Sequence, residues 1–165
     1  VVDRENVVVQ QLKRRAMKVV VLFESMTGNT QRAAELIGGA AAAAGDEVAV
    51  RPVTDFDFHE LAVADLVFVG TWVDGLVAFG QRPGRAGRLR NLPVLDRKPV
   101  AVFCTYAINA GKALDKTAAI LQAKGAQLAG QRQFRRDRLE RGIAEFVDEV
   151  RATVSSWAPA PSSRE

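Results

Sequence analysis

Six consecutive residues, Ser25-Met26-Thr27-Gly28-Asn29-Thr30, bring three hydroxyls, a side-chain amide and a glycine into one short turn. They follow an apolar run, Lys18 to Phe23, and open an alanine-rich stretch, Thr30 to Ala44. Where a strand hands over to a helix, the first N–H groups of the helix have no intrahelical acceptor. With the neighbouring hydroxyls they can share a phosphate dianion without a lysine or arginine. No metal ligand or catalytic lysine stands there to activate phosphorus, which suits a bound group that stays in place. The competing use of the same residues is structural: Gly28 supplies a tight turn and Asn29 or Thr30 caps the helix.

The elements that must position this turn can be read from period and punctuation. Lys18 to Phe23 is a β-branched run of the kind covered on both faces. Thr30 to Ala44 reads as a helix closed by Gly45, and Glu47 to Val53 alternates as a strand. His59 to Ala64 holds a short helix before a second buried strand, Asp65 to Gly70, and Pro99 to Thr105 is a third. Lys112 to Lys124 is helical up to Gly125, Gln127 to Phe134 is a weaker edge strand, and Arg138 to Ser155 is the last helix. Leu139, Ile143, Phe146, Val147 and Val150 line one face of that helix.

Five strands, each followed by helix or helical loop, imply an α/β fold: a three-layer αβα sandwich around a five-stranded parallel sheet. The expected strand order is 2-1-3-4-5. Ligands of such sheets lie beyond the carboxyl ends of the strands, where the winding reverses between the first and third strands. Three segments meet there. They are the turn after Phe23, the stretch Gly70-Thr71-Trp72-Val73-Asp74-Gly75, and the stretch Thr105-Tyr106-Ala107-Ile108-Asn109-Ala110-Gly111. A tryptophan at the ligand end of a sheet has no core to enter, so Trp72 offers its flat apolar face to whatever binds; a core position is the alternative.

Composition bounds the rest. The chain has 165 residues, 48% of them hydrophobic and 25% charged, enough for one core and without an apolar run long enough to span a membrane. Residues 17–155 are expected to form the domain, with 1–16 an extension outside it and 156–165 a disordered proline- and serine-rich tail. Met17 stands where such a domain would naturally begin. One cysteine and one histidine exclude an internal disulfide and a His/Cys metal site, and fit a cytoplasmic protein. Cys104, inside the third buried strand, reads as a small buried hydrophobe rather than a nucleophile.

The first segment resembles the phosphate loop of the flavodoxin family, Ser/Thr-x-Thr-Gly-x-Thr, at every specified position. With the other two segments in order, residues from about Met17 to Ala152 look like a short-chain flavodoxin-like domain. The resemblance implies noncovalent FMN, with its phosphate on Ser25, Met26, Thr27, Gly28, Asn29 and Thr30. Its ring would lie between Trp72 and Tyr106, alongside Thr71, Val73, Asp74, Gly75 and Thr105, with Asn109 able to reach its polar edge. For Tyr106 the alternative is a strand-end residue packed sideways with its hydroxyl in water. In the family a glycine after the tryptophan eases a peptide turn on flavin reduction. Val73 resists positive φ, so that turn is expected at Asp74-Gly75, if it occurs.

The implied role is electron transfer between redox partners. Two alternatives remain: an NAD(P)H-dependent FMN reductase acting on a quinone or similar acceptor, or a module that kept the fold and lost the cofactor. A phosphorylation receiver shares the strand order, but needs an aspartate at the end of the third strand, where this chain has Gly70. Charge departs from the family. Flavodoxins are typically acidic, whereas this chain carries a formal +4 with arginines gathered in 82–97 and 132–141. That balance predicts a redox partner with an acidic docking face, or phosphate groups of NADPH, and no nucleic acid, since no recognition motif accompanies the charge.

Overall fold

The computed structural model describes residues 15–74 and 82–157. The chain runs β1 (Lys18–Phe23), α1 (Asn29–Ala43), β2 (Glu47–Pro52), α2 (Phe58–Val63), β3 (Leu66–Asp74), β4 (Arg82–Pro83), α3 (Ala86–Arg90), β5 (Pro99–Tyr106), α4 (Ala113–Ala123), β6 (Gln127–Arg135) and α5 (Ile143–Trp157). The main sheet is parallel in the order β2-β1-β3-β5-β6. Counting only its five parallel strands, that is 2-1-3-4-5, the expected α/β sandwich. The short β4 lies outside this path and pairs antiparallel with the end of β3.

Alternation along the strands divides the core. Val19, Val21, Phe68 and Phe103 face one way and pack with Ile37 of α1 and Phe146 and Val150 of α5. Val20, Leu22, Val67, Val69, Val102 and Cys104 face the other, against Leu61, Leu89, Leu114 and Leu121. With both faces covered, strands need apolar residues at every position, which is why β1, β3 and β5 read as unbroken hydrophobic runs.

Three boundaries differ most from the sequence reading. β3 does not stop at Gly70. It continues through Thr71, Trp72 and Val73 to Asp74, because Thr71 and Trp72 register with Cys104 and Thr105 of β5, and Val73 and Asp74 with β4. The last helix starts at Ile143 rather than Arg138. Gly142 sits at φ 80°, which a right-handed helix cannot contain, so 138–142 form turns, although Leu139 is still buried. At its other end the helix runs on through Ser156 and Trp157. Residues 1–14, 75–81 and 158–165, and with them Gly75, lie outside the described residues.

Candidate functional site

The turn after β1 forms because Gly28 takes φ 92°, a left-handed conformation that turns the chain into α1. Its own N–H donates to Ser25 Oγ at 3.0 Å, and Asn29 Nδ2 donates to Thr27 Oγ1 at 3.0 Å. Both hydroxyl oxygens are thereby occupied as acceptors, and their protons stay available to donate. Gly28 itself is the N-cap, with no side-chain cap bond and no acidic residue in the first turn. The capping role open to Asn29 and Thr30 in the sequence is therefore not taken up. A Cβ built on Gly28 would meet nothing within 4 Å, so there is open space over the turn. Unclaimed helix-end donors, free hydroxyl protons and room above them fit a phosphate dianion.

Thr30 has a different place. It is 1% exposed, and its Oγ1 lies 2.8 Å from Thr105 Oγ1, joining the first turn of α1 to the end of β5. Thr71 is also buried: its hydroxyl donates to the Gly84 carbonyl at 3.0 Å. Asn109 accepts from Gly111 N at 2.8 Å and shapes the loop after β5. Asp74 enters through its backbone, paired with Arg82.

Met26, Thr27, Asn29, Trp72, Val73, Thr105 and Tyr106 meet around one cleft of about 140 Å³. Ala107 and Arg136 complete its lining. Ser25, Gly28 and Thr30 do not line it but belong to the turn that carries Met26, Thr27 and Asn29, and Thr71 and Asn109 brace the other two segments. Arg136 was not singled out in the sequence as a site residue. Its backbone N–H bonds the Tyr106 carbonyl at 3.0 Å, which carries an exposed guanidinium to the cleft. The neutral donors expected for an anion belong to the turn after β1; Arg136 adds a cationic residue to the lining of the cleft. The signal was present, since Arg136 lies just past the end of an edge strand that pairs with β5.

Trp72 is half-buried and its indole lies flat on Gly84; a Cβ added to Gly84 would stand 2.1 Å from indole Cε2. The indole N–H is buried and has no acceptor among the described residues. Cys104 is fully buried behind the cleft, and burial pushes its thiol up to about 12, so it is inert there.

Residues 20–131 match the family described as the flavodoxin domain. The chain belongs to the flavodoxin family. Its cofactor, as a member of that family, is FMN. A comparison with curated proteins finds no match. Among solved structures, the two-electron reduced flavodoxin of Megasphaera elsdenii is 21% identical, with a TM-score of 0.64 over 84% of this chain and 98% of that one. Oxidised flavodoxin 1 of Bacillus cereus is 22% identical, with a TM-score of 0.60 over 80% and 95%. Rubredoxin:oxygen oxidoreductase of Desulfovibrio gigas is 18% identical with a TM-score of 0.61, covering 88% of this chain but 38% of that larger one. At such identities these likenesses establish the fold, and the domain match carries the family.

Proposed function

We propose that this flavodoxin is a cytoplasmic electron carrier that holds FMN at the cleft between the ends of β1, β3 and β5. The convergence of Thr27, Asn29, Trp72 and Tyr106 on a single cleft carries the reading. Hydroxyls of Ser25 and Thr27, with the first-turn amides of α1, hold the phosphate. Thr30 and Thr105 fix the distance between that anchor and the ring. Trp72 and Tyr106 flank the isoalloxazine, whose bound form supplies the one- and two-electron chemistry. Their aromatic faces exclude water from the ring and disfavour added negative charge on it.

A carrier is favoured over a reductase because exposed cationic side chains beside the cleft offer a partner protein a docking face. The partner proposed is a protein with an acidic face, because Arg136, Arg138 and Arg141 are exposed beside the cleft and form no ion pair among the described residues. Titrating the apoprotein with FMN tests the cofactor directly: stoichiometric quenching of flavin fluorescence and shifted visible bands are expected. Undiminished fluorescence would overturn the reading, and turnover of NADPH with a quinone alone would move it to the reductase.

A further inference from the structure

Glu24 is the most buried carboxylate beside the site, 3% exposed, and the residue that immediately precedes the phosphate turn. Its N–H bonds the Gly70 carbonyl at 2.9 Å, which fixes it at the end of β1 against β3. Two arginines from the far side of the site reach it. Arg85 Nη1 donates to Oε1 at 2.9 Å, and Arg88 Nη1 donates to Oε1 and Oε2 at 2.9 and 3.1 Å. Both guanidinium groups are about half exposed, at 46% and 44%, and both are bent inward onto one carboxylate.

What those arginines carry is the seat of Trp72. Arg85 sits at φ 51° and ψ 46°, a left-handed conformation unfavourable for a residue with a Cβ, so something outside its own backbone must hold it. Gly84, its neighbour, donates to the Trp72 carbonyl at 2.7 Å and accepts from Thr71 Oγ1 at 3.0 Å. The same Gly84 lies directly under the indole, with no room for a methyl group. An unbroken chain of contacts therefore runs from the phosphate turn through Glu24, Arg85 and Arg88 to Gly84 and the plane of Trp72.

We infer that Glu24 is a positioning residue: through Arg85 and Arg88 it pins the Gly84 turn, and so sets the plane in which Trp72 meets the flavin ring. It touches neither phosphate nor ring. Its effect belongs to the isoalloxazine half of the ligand alone, although in sequence it adjoins the phosphate half. The ring role rests on the function proposed above; the pinning of the indole does not.

The test uses Glu24→Gln, which keeps the shape and removes the charge, and Arg88→Met, which removes two of the three bonds from a half-exposed position. Both are made in a Trp157→Phe background, where Trp72 is the one remaining tryptophan. In the apoprotein, Trp72 emission is expected to move to longer wavelength in both variants as the indole leaves Gly84. FMN and riboflavin should then weaken by the same factor, about fivefold or more, because the ring contact is common to both. Emission unchanged in both variants overturns the inference. So does weaker FMN binding with riboflavin unaffected, which would place Glu24 in the phosphate site. Should the parent protein bind neither flavin, the cofactor reading fails and the apoprotein emission alone decides the pinning.

Discussion

Single residues in this site do more than one task, and each task can be separated by substitution. Thr27→Val keeps the shape of Thr27 and removes the hydroxyl proposed above to donate to the phosphate. A hydrogen bond to a charged group contributes about 1.5–3 kcal/mol, so FMN affinity should fall roughly 10–100-fold by titration while riboflavin affinity is unchanged. Gly84→Ala has the opposite signature. Its methyl cannot coexist with the indole at 2.1 Å, so both flavins should weaken together. Cys104 tests burial instead of binding. The folded thiol holds its proton up to about 12, while the unfolded thiol loses it near 9.0. Between those values the unfolded state binds fewer protons, so this group's stabilisation is complete below about pH 9 and is lost as pH rises. Urea unfolding should show a steeper alkaline decline for the wild type than for Cys104→Ala.

At the scale of elements, the sheet and its ligand end were legible because two-sided burial writes itself into sequence as unbroken apolar runs. What sequence could not show was how far β3 runs. Thr71-Trp72-Val73 looks like a loop beside Gly70 and Gly75, and only register with Thr105 on one side and Arg82 on the other extends it. The turn after β1 was legible as a motif, but the tie from Thr30 to Thr105, 75 residues away, was not. Long-range polar pairs of this kind leave no local trace. Asp46 and Arg151 are another: Asp46 is buried, accepts from Met17 N at 3.0 Å and receives Arg151 at 2.7 and 2.8 Å, binding the start of the sheet to α5. Removing one member of a buried pair costs about 3–5 kcal/mol, so Asp46→Ala should lower the urea midpoint sharply without altering the flavin spectrum of the folded fraction.

For the whole molecule, the formal charge of +4 misleads unless the arginines are sorted by what they already hold. Sequence placed Arg85 and Arg88 in a basic run facing a partner; both are committed to Glu24. Arg132 is likewise held, by Glu149 at 2.8 Å, and Arg135 by Asp137 at 2.9 Å. Of the second run Arg136, Arg138 and Arg141 are left, all exposed on the turns between β6 and α5; Arg90 and Arg97 of the first run are exposed too. Those turns lie at the ligand end of the sheet, since Arg136 lines the cleft and Glu140 comes within 3.9 Å of Arg32 in the first turn of α1. Exposed positive charge is thus present where a flavin edge would surface, and on the function proposed above it would steer an acidic partner over roughly a Debye length, about 10 Å at 0.1 M salt. Stopped-flow electron transfer to an acidic iron–sulfur protein should slow as salt rises, and transfer to a basic cytochrome should quicken. Arg138→Glu with Arg141→Glu should reverse both trends at unchanged flavin content, because neither residue lines the cleft. Identical salt slopes in that variant and the wild type would locate the docking face elsewhere on the molecule.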